Sequence, residues 1–229
     1  MKEIAYELGR VVILAPPQEI TPLQHFDPHQ SFSAISKRYS FQGTPDLSLP
    51  VERVQKEGYR FRMGKVPGTI KGEKAPAAIT DFAIFADGFV IDSTTTEEGE
   101  IFAADISKWG KEALGLRDFN HSHRKTYFSQ LAVQFEPAAN KLINKFDDIT
   151  ALLANLLMKT YKLNTVVELQ GVRFDYDKLI TPSLYNLVQF VIERKAGHKY
   201  EDGILWSQAP LRTTDHIQLL KTIETLLSM

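Results

Sequence analysis

Residues 117–135, RDFNHSHRKTYFSQLAVQF, end in a strict alternation that fixes what this part of the chain can become. Tyr127, Ser129, Leu131, Val133 and Phe135 fall on one face of an extended strand, and Phe128, Gln130, Ala132 and Gln134 on the other. A period of two cannot bury one face of a helix, so the stretch requires a sheet with a core on one side. The residues that follow change period. Pro137 suits the first position of a long helix reaching about residue 160, with Leu142, Phe146, Ile149, Leu153 and Leu156 at alternating spacings of four and three. Such a stripe is expected to pack on the sheet, and it also has the form of a seam between two protomers.

The rest of the chain alternates between these two periods. GYRFRM puts Tyr59, Phe61 and Met63 on one strand face and Arg60 and Arg62 on the other. The glycines, prolines and lysines of GKVPGTIKGEKAP point to a mobile surface loop. DFAIFADGFVIDS reads as a buried hairpin turning at Asp87-Gly88. Thr95 and Glu98 have capping-box spacing for a helix over 96–114, which carries Phe102, Ile106, Trp109 and Ala113 on one side and stops at Gly115. TVVELQGVRFDYD reads as a strand with a bulge at Gly171, SLYNLVQFVIERK and ILWSQ as a hairpin, and 214–229 as an amphipathic helix. Before residue 50, IAYEL and GRVVILA read as two short strands, PPQEITPLQHFDPHQ as an irregular wrap, and SFSAISKRYSF as a further strand. The order argues an α+β fold, mainly an antiparallel sheet with about three helices packed on it. Residues 1–229 are expected to form a single domain, with a possible sub-boundary near 75.

Composition removes several classes of function. A chain of 229 residues, 43% hydrophobic and 24% charged, is of ordinary globular make-up. The absence of cysteine excludes a disulfide framework, a thiol nucleophile and cysteine-ligated metal. Neither an export signal nor a membrane-spanning run is evident, so a cytoplasmic protein without membrane contact is expected. A net charge of -1 offers no global attraction to nucleic acid, although a local patch does not exclude it. The charge is unevenly spread. From Arg53 to Lys74 there are seven Lys or Arg against two Glu, whereas Asp92, Glu97, Glu98, Glu100 and Asp105 form an acidic stretch with no basic residue. These segments can face each other within one fold or across two copies, or be solvated separately.

No phosphate-binding loop, nucleophile elbow, zinc-protease helix, calcium loop or dinucleotide fingerprint occurs. His121 and His123 would point the same way on an extended strand, which suits an anion pocket with Arg124; Arg124 and Lys125 repel a divalent cation, and a solvated entry to the strand explains the pair without chemistry. His25 and His29 beside Asp27 are likewise explained by a polar loop. FDYDK and FVIERK end two strands, so Asp175 or Asp177 can meet Glu193 and Lys195. The arrangement resembles, in its loosest form, the Asp and Glu-x-Lys pattern of PD-(D/E)xK nucleases, in which carboxylates hold magnesium and the lysine offsets phosphate charge; the proline before the Asp is missing here.

Three readings follow from the sequence. The first is a non-enzymatic protein that binds a protein partner, or itself, without a cofactor. Its contacts would come from Arg60, Arg62, Lys65, Lys71 and Lys74, and from Glu97, Glu98 and Glu100. The second is a magnesium-dependent nuclease or phosphodiesterase using Asp177, Glu193 and Lys195. The third is a nucleotide or small-anion sensor built on His121, His123 and Arg124.

Overall fold

The computed structural model describes residues 1–15, 27–70, 73–117, 124–136, 147–162, 164, 169–176, 187–198 and 202–228. Eight strands form one antiparallel sheet: β1 (Lys2–Leu14), β2 (Tyr59–Ile70), β3 (Glu73–Phe85), β4 (Gly88–Ser93), β5 (Arg124–Gln134), β6 (Gly171–Phe174), β7 (Phe190–Arg194) and β8 (Ile204–Ala209), in the order β2-β3-β4-β1-β5-β8-β7-β6. Five helices accompany it among the described residues: α1 (Pro28–Tyr39), α2 (Val51–Glu57), α3 (Thr96–Leu114), α4 (Asp147–Tyr161) and α5 (Thr213–Ser228). The fold is therefore α+β, with more helices than the three expected. None of the helices is long and apolar enough to cross a membrane.

Two cores lie under this sheet. In the first, α1 and α3 close over β1 to β4 through Phe32, Ile35, Tyr39, Phe61, Phe82 and Phe102. The rings of Phe82 and Phe102 meet edge-on at 4.9 Å, a favoured aromatic geometry. In the second, Leu220 and its neighbours on α5 cover Leu131, Val133 and Ile192. Tyr127 of the first core and Leu131 of the second share one face of β5, so both cores occupy the same side of the sheet.

Several elements differ from the sequence reading. β1 is one strand rather than two, with register shifts between Glu3 and Ala5 and between Tyr6 and Leu8 that break its pattern. The SFSAISKRYSF segment is helical, not extended. Asp27 accepts hydrogen bonds from the His29 and Gln30 amides, Pro28 takes the first turn, and Ser40 ends the helix in the left-handed region (φ 52°). His29 is thus part of the first turn of α1, and Asp27 is its cap. Apart from Lys71 and Gly72, which lie outside the described residues, GKVPGTIKGEKAP continues the β2/β3 hairpin rather than forming a loop, in register through Pro67 opposite Pro76 and Gly68 opposite Ala75. β4 pairs β3 over Ile79–Phe85, and among the described residues no further strand flanks the ribbon beyond, so its prolines interrupt no ladder there. β3 runs through residue 75 without a break.

At Gly171 there is close approach rather than a bulge: an added Cβ would lie 2.5 Å from the Ile192 carbonyl oxygen and from Glu193 Cβ across the β6/β7 pair. The apolar stripe of α4 does not pack on the sheet. Ile149, Leu153 and Leu156 are 54%, 45% and 49% exposed. Leu142, Phe146 and the expected start at Pro137 lie outside the described residues.

Candidate functional site

β2 is an edge strand, and its alternation separates two functions. Phe61 is fully buried, while Arg60 and Arg62 point to the other side. The chain leaving α1 returns along this edge: the Gln42 and Gly43 amides donate to the Arg62 carbonyl, and the Arg62 amide donates to the Gly43 carbonyl at 2.9 Å. The loop then passes Thr44 to Leu49, and α2 ends at Gly58, whose φ of 70° turns the chain into β2. Between this loop, α2 and β2 lies a cleft of about 390 Å³ lined by Thr44, Asp46, Arg53, Glu57, Arg60 and Arg62, among others. A second hollow of about 440 Å³, with Phe32, Lys37 and Leu47 on its walls, shares Thr44 and Pro45 with the first.

The charges in the cleft differ in their commitments. Arg53 pairs with Glu57 at 3.2 Å in a solvent-exposed contact. Arg60 donates to the Glu57 carbonyl at 2.8 Å and is ion-paired with Asp81. The Asp46 carboxylate accepts from both the amide and the hydroxyl of Ser48, which holds its pKa below the usual range. The exposed Arg62 guanidinium alone has no hydrogen-bond or ion-pair partner among the described residues. Beside it Met63, in the left-handed region at φ 55°, presents an exposed thioether.

Arg62 also begins a row of charges across the outer face of the sheet. It lies opposite Asp81, Asp81 opposite Asp92, and Asp92 opposite Arg10. Arg10 grips Asp92 with two hydrogen bonds of 2.6 and 2.8 Å. Burial pushes the Asp81 carboxyl up, the neighbouring Asp92 adds to this, and Arg60 and Arg62 work against it. The basic and acidic segments therefore touch the same row within one fold, two strands apart.

The remaining acidic residues are engaged by their own chain. Glu97 accepts from the Thr214 amide and hydroxyl, at 3.2 and 2.9 Å. Glu98 accepts from the Thr94 amide, and burial raises its pKa despite that bond. Glu100 accepts from Lys125 at 2.9 Å and Tyr127 at 2.7 Å; burial raises its carboxyl, but these two bonds and Lys125's charge outweigh it and leave the pKa lowered. Arg212 completes this cluster by donating to Tyr127 at 2.9 Å and stacking 4.9 Å over its ring. Asp105 binds Arg38 and accepts from the Tyr39 hydroxyl.

Of the other candidates, Lys65 pairs in the β2/β3 ribbon opposite Ala78, and Lys74 sits opposite Thr69. Lys71, His121, His123 and Asp177 lie outside the described residues. Arg124 opens β5 opposite Leu14. Glu193 lies between Gly171 and Trp206 on neighbouring strands, and Lys195 is ion-paired with Glu7 of β1. Among the described residues no three His, Asp or Glu side chains converge to hold a metal ion.

Two features escaped the sequence reading. The walls of the cleft from Thr44 to Leu49 carry no periodicity to announce them. His216 was hidden in the amphipathic pattern of α5: it is fully buried, with Nδ1 2.8 Å from the Ser129 hydroxyl and Nε2 2.9 Å from that of Ser207. The signal was a pair of serines placed on core-facing strand positions, where hydroxyls need partners. No protein-family model and no curated protein matches the chain.

Proposed function

We propose that this protein is a non-enzymatic binding module that docks an acidic, extended segment of a protein partner in the cleft at the β2 edge. The observation that carries the reading is the uncommitted Arg62 guanidinium in a cleft whose other arginines are already paired. The acidic side chains of 92–105 are occupied within the chain, so the complementary carboxylates have to come from the partner. The second hollow, reached over Thr44 and Pro45, mixes the apolar Phe32 and Leu47 with Ser33, Ser36 and Lys37, which suits a further polar or acidic residue of the same segment.

A hydrogen bond between charged groups contributes about 1.5 to 3 kcal/mol, so loss of Arg62 should weaken binding roughly tenfold or more. Arg62→Gln is the informative variant, because replacing Arg60 would also break its ion pair with Asp81. In a fluorescence anisotropy panel of extended peptides with acidic, neutral and basic centres, the acidic members should bind wild type and lose that affinity in Arg62→Gln and in added salt. An unchanged melting temperature would show the fold kept. Failure of every acidic peptide to bind wild type, or equal binding by the variant, would overturn the reading.

A further inference from the structure

We propose that α4 is an oligomerisation helix, pairing antiparallel with α4 of a second copy of this chain. No described element packs closely on α4; from Ile149 to Tyr161, the residues whose burial is described, Thr150, Ala154 and Leu157 are half-buried along one line of the helix and the others are exposed. Ile149, Leu152, Leu153 and Leu156 form a separate stripe, all exposed, with successive members of its central line spaced four and three residues apart. That spacing is the seam of two packed helices, and its natural occupant is another helix with the same seam. A helix of this length is marginal in water by itself, so an uncovered stripe leaves α4 without most of the packing that holds a helix together.

The order of charges selects the second copy and its direction. Asp147 and Asp148 begin the helix; Lys159 and Lys162 end it. Asp148 and Lys159 are eleven positions apart, close to three turns at 3.6 residues each, so they fall on the same flank of the stripe. A two-fold axis between antiparallel helices brings the same flank of each copy together, with residues near Leu153 at the axis. Asp148 of one copy then stands level with Lys159 of the other, and the pairing repeats on the far side of the axis. A parallel pair would instead set Asp against Asp and Lys against Lys. The flanks carry no basic cluster of the kind that draws an amphipathic helix to an anionic membrane.

Sedimentation equilibrium of the full chain, over about a hundredfold range of concentration, tests this directly. Wild type should move from monomer to dimer, and Leu153→Glu should stay monomeric at concentrations where wild type is dimeric. Asp148→Lys alone, and Lys159→Glu alone, should each weaken association severalfold, and the double exchange should restore it. Circular dichroism and melting of wild type and variants should agree at concentrations where both are monomeric, and wild type should gain stability only where it dimerises; a variant that loses its fold in the dilute comparison is replaced by Leu153→Gln. Wild type that remains monomeric, Leu153→Glu that dimerises normally, or a double exchange without recovery overturns the proposal, as does binding to neutral or anionic vesicles in place of dimerisation. Arg62→Gln should leave dimerisation unchanged, so this test and the peptide test fail independently.

Discussion

His216 has two hydroxyl neighbours and, when neutral, one proton to offer them. Ser207 donates to the Val191 carbonyl at 2.7 Å, which leaves its oxygen to accept from Nε2, while Nδ1 accepts from Ser129. The longer contact from Ser129 to the Leu211 carbonyl, 3.1 Å, fits this assignment. Burial lowers the histidine pKa from 6.5 to about 4. The folded state therefore binds fewer protons than the unfolded state between these values, and the stability this contributes is complete above 6.5 and lost as pH falls toward 4. Urea unfolding of wild type and His216→Phe should show wild type ahead near pH 7.5, and its lead should shrink by on the order of 2 to 3 kcal/mol by pH 4.5. Carboxylates common to both proteins cancel in that difference; a lead independent of pH would contradict the neutral, buried imidazole. The alternation of Arg60 with Phe61 made the outward arginines legible in the sequence. Nothing local could mark His216, because its partners come from strands 87 and 9 residues away.

Two helix N-termini meet head to head, and this element-level contact explains why Glu97 is not available to a partner. The Thr96 amide donates to the Thr213 hydroxyl at 3.0 Å and the Thr213 amide to the Thr96 hydroxyl at 2.8 Å, so each helix start caps the other. Both ends carry partial positive charge, and the Glu97 carboxylate between them offsets it. β1 passes directly beneath, at Gly9. An added Cβ there would sit 2.2 Å from the Thr95 carbonyl carbon and 2.3 Å from the Thr96 amide nitrogen, and neither is free to move. Gly9→Ala should accordingly cost more than about 3 kcal/mol in chemical denaturation, or prevent soluble expression. Elements defined by neighbours in sequence were readable: the Thr95 cap and the Gly115 stop appear as expected, and the β3/β4 hairpin forms, although its turn falls one residue early at Ala86-Asp87, with Gly88 already paired opposite Phe85. The α1 start had the same kind of signal in Asp27-Pro28, but the prolines and histidines before it suggested an irregular wrap. The β2/β3 ribbon was illegible for another reason, since its glycines and prolines are permitted where no described strand flanks the ribbon, which the sequence does not display.

Across the whole molecule, the two cores share β1 and β5. β1 pairs β4 on one side and β5 on the other, so neither half retains its sheet if the other unravels. Trp109 packs on the first core and Trp206 lies on β8 in the second half, which makes each tryptophan a reporter for one half. Single-tryptophan variants, Trp109→Phe and Trp206→Phe, should unfold in urea at the same midpoint when each is followed by fluorescence and by circular dichroism. Separate midpoints would mean that the halves fold as independent units. At this scale the sequence conveyed the α+β class and the uneven charge, whereas strand order and the sharing of one row by Arg62 and Asp92 depend on pairings between distant segments. That row has a thermodynamic consequence. Arg62 is one of the two cations that restrain the proton affinity of Asp81, so a carboxylate that draws Arg62 toward the cleft relaxes the restraint. Under the proposed function, occupancy of the edge would be coupled to proton uptake at a side chain on the neighbouring strand, and ligand and proton would be cooperative ligands of the same sheet.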